Sequence, residues 1–227
     1  MNFDEKKQLA EEGAAEAQYN LALMYSLGKE IPKDDQIAIK WYRLAAEQGF
    51  AEAQTNLGLM HGKGQGVEQN FSEAVKWYRL AAEQGLAEAQ HNLGVMYGRG
   101  QGVQKNFFEA FWWFKRAAEQ GYGQAQYNLG LMYSRGEGVP KDNEEAIKCY
   151  RLSSKQGISG AQSNLGLMYE KGLGVEQDYI EAHKWFNIAG INGNSTGKKN
   201  ADIIEKKMQP SQIIKAIGLA REWLEKI

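Results

Sequence analysis

Six glycines, Gly13, Gly49, Gly85, Gly121, Gly157 and Gly193, stand 36 residues apart without a slip. A fixed period of that length marks a repeat architecture and constrains every other reading of the chain. The five segments between these glycines align without gaps. Ala17, Ala53, Ala89, Ala125 and Ala161 form one row, and Leu21, Leu57, Leu93, Leu129 and Leu165 a second. Met24, Met60, Met96, Met132 and Met168 form a third. Each copy holds two periodic stretches. In the first, Ala53, Leu57, Met60 and His61 fall at i, i+4, i+7 and i+8, one stripe of a helix. Gly58 sits beside that stripe, with Gly94, Gly130 and Gly166 in register. A glycine inside a helix costs about 1 kcal/mol against alanine, so its recurrence predicts close contact with another helix. Ala22 is the exception in the first copy. A Gly-x-Gly-Val turn follows at Gly64 and returns at 100, 136 and 172, with Val67 expected to fill the gap beneath it. The second helix is expected from about Ser72 to Gln84. Ala74, Trp77, Tyr78 and Ala81 give its apolar stripe, and Gly85 supplies the left-handed residue that ends it.

One such hairpin cannot bury its apolar face, whereas stacked hairpins can. The sequence therefore predicts an all-α solenoid of helix–turn–helix repeats at 13–48, 49–84, 85–120, 121–156 and 157–192. Residues 1–12 are expected to be an N-terminal half-repeat cap, because Leu9 to Gly13 match Ala81 to Gly85, the end of a second helix. Residues 193–227 are expected to be a C-terminal helical cap. Within it 198–208 read as one helix, and Pro210 and Ser211 open another, amphipathic through Ile213, Ile217, Ala220 and Leu224.

The formal net charge is -1, so no overall field attracts nucleic acid or anionic lipid. No apolar run approaches the roughly 20 residues that span a bilayer. Neither nucleic acid nor membrane is an expected partner. The opening residues carry Asp4, Glu5, Lys6 and Lys7 without an apolar core, unlike a signal peptide. The default location is the cytoplasm, or the periplasm or exterior if a leader has been removed. Cys149 is the single cysteine and replaces the recurrent Trp41, Trp77, Trp113 and Trp185, so it is expected to be a buried thiol. His61, His91 and His183 lie on different rows and compose no metal site. Walker, HExxH and GxSxG patterns are absent. No catalytic residue, metal or cofactor is expected. Asn70-Phe71-Ser72 and Asn194-Ser195-Thr196 match glycosylation acceptors, a pattern too short to decide anything.

In a repeat protein, constant rows build the fold and variable rows are free to set specificity. On the first helices, Tyr19, Thr55, His91, Tyr127 and Ser163 vary, as do Glu16, Glu52, Glu88, Gln124 and Gly160. In the third copy Glu88, His91, Val95 and Gly98 share one face opposite the core stripe. That face is expected to line a peptide-binding groove; an ordinary solvated face is the alternative. Asn56, Asn92 and Asn128 belong to a constant row with Asn20 and Asn164. Their amides could serve a partner's backbone, or bond the neighbouring repeat, which their constancy favours. Lys63, Arg99, Arg135 and Lys171 could attract an acidic peptide, or simply complement helix C-termini for about 0.3–1 kcal/mol each. The third copy also breaks pattern on its second helix, where Phe108, Trp112 and Arg116 fall at i, i+4 and i+8. This convex aromatic patch has hot-spot composition. It could equally be a thickened local core with Phe107 and Phe111, or a contact with a second copy of the chain.

Residues 49–84 carry the pattern Ala51-Glu52-Ala53-Gln54, Asn56-Leu57-Gly58-Leu59-Met60, Gly64, Gly66-Val67, Lys76-Trp77-Tyr78 and Ala81-Ala82-Glu83-Gln84, closed by Gly85. This resembles the Sel-one-like repeat family, bacterial type, a relative of the tetratricopeptide repeats. The tail from Met208 to Leu224 resembles the ends of bacterial members. The resemblance implies a right-handed α/α superhelix whose first helices line a concave face. It implies a scaffold or adaptor that binds a protein or peptide partner. A hydrolase acting on a small peptide or cell-wall substrate is the alternative, because one cysteine-rich bacterial branch is associated with β-lactamase activity. This chain lacks that branch's cysteine pair in each repeat.

Overall fold

The computed structural model describes residues 3–226, so Met1, Asn2 and Ile227 of the expected caps lie outside it. Thirteen α-helices and no strand occur among the described residues. The first helices of the five repeats are α2 (Ala15–Leu27), α4 (Ala51–Lys63), α6 (Ala87–Arg99), α8 (Gly123–Arg135) and α10 (Ser159–Lys171). The second helices are α3 (Asp35–Glu47), α5 (Phe71–Glu83), α7 (Phe107–Glu119), α9 (Asn143–Ser154) and α11 (Tyr179–Ile191). α1 (Phe3–Glu11) precedes them, and α12 (Ser195–Glu205) and α13 (Pro210–Leu224) follow. The chain divides into two compact units, residues 1–117 and 118–227.

The two helices of a repeat start by different means. Each second helix has a side-chain cap. Asp34 Oδ1 accepts from the backbone N–H groups of Gln36 and Ile37 at 2.9 Å, and Asn70, Asn106, Asp142 and Asp178 do the same for their helices. Such a cap contributes typically about 1 kcal/mol. Asn70 and Asn194 are both caps of this kind, which accounts for them without glycosylation. The first helices have no side-chain cap. A buried glutamine holds each of them instead. Gln54 Nε2 donates to the Ala46 carbonyl at 3.1 Å, and its Oε1 accepts from Gln84 at 2.8 Å. Gln18, Gln90, Gln126 and Gln162 make the same backbone bond to Ala10, Ala82, Ala118 and Ser154. A buried amide left unpaired would cost about 1–3 kcal/mol, so this latch explains why the glutamine never varies.

The glycine row packs as its recurrence predicts. A Cβ on Gly58 would lie 2.8 Å from the Tyr78 ring, and one on Gly94 2.8 Å from Phe114. In the second unit the corresponding approaches are 2.6 Å for Gly130 to Tyr150 and 2.4 Å for Gly166 to Phe186. The second glycine of the turn, at Gly66, Gly102 and Gly174, also lies close to the preceding repeat. A Cβ on Gly66 would sit 2.3 Å from the Asp35 carbonyl oxygen. Val67 packs onto the adjoining core as expected.

In the first unit two clusters of buried side chains centre on Tyr42 with Leu57 and on Tyr78 with Leu93. In the second unit they centre on Tyr150 with Leu165 and on Phe186 with Ile204. The C-terminal cap differs in detail from its sequence reading. α12 starts at Ser195 rather than 198, because Asn194 caps the Gly197 N–H at 2.8 Å. α13 buries Ala216 and Ala220 and packs Trp223 against Trp185 at 5.2 Å, while Ile217 stays 40% exposed.

Candidate binding pockets on the first-helix faces

The rows named from sequence separate into buried, half-buried and exposed. Thr55 and Ser163 are buried, and Thr55 Oγ1 donates to the Ala51 carbonyl at 3.0 Å. They are therefore out of reach of a ligand. Tyr19, His91 and Tyr127 are half-buried with their rings against neighbouring aromatics. Tyr19 lies 5.0 Å from Phe50, His91 5.6 Å from Phe114, and Tyr127 6.2 Å from Tyr150. Burial and the nearby Glu52 carboxylate raise the Tyr19 pKa. Glu52, Glu88 and Gln124 are exposed.

A pocket of about 630 Å³ beside α1 and α2 takes in Glu16 and Asn20, and two smaller, matching concavities lie to one side of that face. In the first unit a pocket of about 310 Å³ opens between α4 and α6. Leu59, Gly62 and Lys63 of α4 form one wall, and Asn92, Val95, Met96 and Arg99 of α6 the other. Gln69, Phe71 and Tyr78 close the inner side, with Gln101 at the rim. In the second unit a pocket of about 250 Å³ opens between α8 and α10. Leu131, Ser134 and Arg135 face Asn164, Leu167, Met168 and Lys171, with Lys141, Asn143 and Tyr150 inside and Leu173 at the rim. Each of these eleven positions lies 72 residues, two repeats, beyond its counterpart in the first pocket. Neither lining includes an aspartate or glutamate.

The structure thus brings Asn92, Lys63 and Arg99 together at one pocket and Arg135 with Lys171 at the other. It leaves Glu88 and His91 outside the linings. Gly62 and Ser134 belong to the variable first-helix row of Ser26, Gly62, Gly98, Ser134 and Glu170, and Tyr78, expected only as part of the second helix's apolar stripe, joins the first lining as Tyr150 joins the second. Burial, then the Glu88 carboxylate, pushes the Tyr78 hydroxyl up, so it stays a proton donor. Burial also raises Tyr150, whose hydroxyl lies 3.2 Å from Ser134 Oγ and bonds the Asn164 side chain. Three members of the asparagine row bond side chains. Asn56 pairs with Tyr19, Asn164 with Tyr150, and Asn92 Oδ1 lies 3.2 Å from His91 Nδ1. The four basic residues end their helices and are exposed. Arg135 pairs with Glu137 at 3.9 Å.

Phe108 and Trp112 are 76% and 48% exposed, so they do not thicken the core. Arg116 stacks over Trp112 at 4.7 Å. Cys149 is buried, as expected, and burial pushes its thiol up to about 12. The Ser134 hydroxyl meets Tyr150 and the Leu131 carbonyl rather than a base. Among the described residues no group of three or more His, Cys, Asp and Glu side chains could hold a metal ion. No described helix is long and apolar enough to cross a membrane.

The Sel1 repeat matches five consecutive segments, 15–50, 51–86, 87–122, 123–158 and 159–194. The chain belongs to the Sel1 repeat family. Two solved Sel1 repeat structures are similar to it over nearly its whole length. One, from Oxalobacter formigenes, is 39% identical with a TM-score of 0.81, and the match covers 99% of this chain and 87% of that one. The other is c5321, described as a protective antigen of uropathogenic Escherichia coli displaying this fold. It is 37% identical with a TM-score of 0.88; the match covers 98% of this chain and 49% of that one. The chain thus spans about half of the E. coli protein. An immunity protein of Pseudomonas aeruginosa, 21% identical with a TM-score of 0.54, shares the fold alone. No curated protein sequence matches. Sel1 repeats are typically protein-interaction scaffolds without catalysis, and nothing in these likenesses supports the hydrolase alternative.

Proposed function

We propose that this Sel1 repeat chain is a scaffold that holds a peptide segment of a protein partner on its first-helix faces. The observation that carries the reading is the same eleven-position pocket in each unit, with aliphatic walls at Leu59 and Val95 or Leu131 and Leu167 and cations at its edge. At about 310 and 250 Å³ the pockets stand at or below the bottom of the roughly 300–1,000 Å³ of small-molecule sites, a size that suits side chains. Their linings pair no nucleophile with a base, which catalysis of hydrolysis requires. Selection from a displayed random-peptide library tests this. Peptides enriched on the wild type are expected to lose binding to Leu59→Asp or Leu131→Asp. A folded wild type that enriches nothing, or variants that bind as well, would defeat the proposal.

A further inference from the structure

The two pockets share positions but not hydrogen bonding. In the second unit the Tyr150 hydroxyl is held by Ser134 and Asn164, and Arg135 is paired with Glu137. In the first unit Gly62 stands where Ser134 would, so no serine reaches Tyr78. A Cβ at Gly62 would lie 3.9 Å from the Tyr78 hydroxyl. Tyr78 is only 4% exposed, and its hydroxyl remains protonated. Lys63 and Arg99 flank the opening, exposed and without an ion pair among the described residues. Donors therefore converge on a pocket that has aliphatic walls and no carboxylate of its own. One step earlier in the repeat the same positions hold Leu27 in place of a cation and Asp35 in place of Phe71. That step keeps two cations, because Lys33 stands where Gln69 does, but it also holds an acid, Asp35, already paired with Lys33 at 3.2 Å.

We infer that the Tyr78 pocket binds a carboxylate of the partner peptide, next to an aliphatic side chain that packs on Leu59 and Val95. The Tyr78 hydroxyl donates to one carboxylate oxygen, and Lys63 and Arg99 neutralise the charge. A single negative charge suits this site better than a phosphate. Both cations end helices, whose carbonyl ends carry partial negative charge and so favour a singly charged group over a doubly charged one. The inference rests on the peptide-scaffold reading and adds the chemistry of the ligand.

The test uses the full chain and fluorescence anisotropy with labelled 12-residue peptide pools. Each pool has a central Leu-X-Leu, with uncharged residues randomised elsewhere and a C-terminal amide. X is glutamate, glutamine or phosphoserine. A further glutamine pool ends in a free carboxylate, which separates a side-chain acid from a chain terminus. A carboxylate-bearing pool, side-chain or terminal, is expected to bind about tenfold tighter than the amidated glutamine pool, because charged hydrogen bonds are lost with the amide. Lys63→Met/Arg99→Met should remove that preference, Tyr78→Phe should weaken it, and Lys40→Met/Lys115→Met on the second helices should keep it. The phenylalanine is a fair probe because Phe114 and Phe186 already occupy the same row. Equal affinity for acid and amide pools, a preference that survives the double cation change, or tighter binding of the phosphoserine pool would overturn the inference. If library peptides bind but acids gain nothing, the scaffold stands and the carboxylate falls. If no peptide binds at all, both fall.

Discussion

The Tyr78 and Tyr150 pockets are built from one template, and besides Lys141 for Gln69, Asn143 for Phe71 and Leu173 for Gln101 they differ in what meets the tyrosine hydroxyl. Eleven lining positions correspond, yet Ser134 and Asn164 occupy the hydroxyl of Tyr150 while Gly62 leaves that of Tyr78 without a serine. The repeat supplies the cavity between α4 and α6 in the first unit and between α8 and α10 in the second. Whether the cavity answers its own polar groups is decided by positions the fold does not need, such as 62 and 134. The largest effects should therefore come from disturbing what both pockets share, and smaller ones from exchanging what separates them.

The shared element is the glycine behind each tyrosine. Gly130→Ala places a methyl group 2.6 Å from the Tyr150 ring, and Gly58→Ala places one 2.8 Å from Tyr78. Overpacking costs about 1–3 kcal/mol, offset by up to about 1 kcal/mol of helix propensity. The net loss is expected to be about 1–2 kcal/mol, and greater at Gly130, because Tyr150 is held by Ser134 and Asn164 and cannot tilt away. Urea unfolding of the two variants measures this. Equal losses would mean that the serine and asparagine bonds do not restrain the ring.

Gly62→Ser and Ser134→Gly exchange the feature that separates the pockets at the tyrosine hydroxyl. A Cβ at Gly62 has only ordinary contacts, 3.7 Å from the Ala74 Cβ and 3.9 Å from the Tyr78 hydroxyl, so a serine fits. Its hydroxyl should engage Tyr78 as Ser134 engages Tyr150, and as Ser26 engages Tyr42. Stability should change by less than about 1 kcal/mol, while affinity for the acidic peptide pool falls several-fold. Ser134→Gly should raise affinity at the second pocket. Binding that responds to neither change would sever the hydroxyl from recognition.

A smaller effect is confined to the first unit. His61 stands in a row with Tyr25, Tyr97, Tyr133 and Tyr169. Arg79 donates to the Tyr97 hydroxyl at 2.7 Å and Arg151 to Tyr169 at 2.6 Å. Arg43 holds the matching position for His61, whose two ring nitrogens are buried without a hydrogen-bond partner. Burial and the Arg43 charge lower the His61 pKa, and burial lowers that of His91. The unfolded chain therefore takes up protons before the folded one does. Stability is full above the ordinary histidine value of 6.5 and is lost as pH falls below it. His61→Tyr should gain about 1 kcal/mol at pH 7 by satisfying Arg43, and should flatten the decline toward pH 5. Unfolding curves at pH 7.5 and 5.5 check both; an unchanged slope would place the acid sensitivity elsewhere.

The repeat, the helix pairs, the glycine row and the buried cysteine were all legible in the sequence, because each is a local pattern copied five times or conspicuously broken once. The pockets were not. Tyr78 reads as core because its ring is core, and only the fold shows that its hydroxyl faces an opening. The expected binding face ran through Glu88, His91 and Gly98, directly opposite the core stripe. The lining shares Val95 with that face but otherwise runs through Asn92, Met96 and Arg99, turned toward the neighbouring first helix. Periodicity gives the faces of one helix, but a pocket between two helices depends on how closely they pack. Thr55 and Ser163 looked free to vary for a partner and are instead covered by neighbours.

The smallest effect tests the other break in the repeat. Trp112 occupies a row otherwise filled by Lys40, Lys76, Lys148 and Lys184. Its ring is 48% exposed beneath Arg116, so Trp112→Lys removes an exposed cation–π contact worth about 0.5–1 kcal/mol and little packing. The expected loss of stability is below about 1 kcal/mol, less than at either glycine. A loss above about 2 kcal/mol would show that the ring carries core packing after all. A small loss leaves the exposed Phe108 and Trp112 pair with no structural task in the repeat. The tryptophan would then contrast with Tyr78, whose ring builds the fold while only its hydroxyl is free for a ligand.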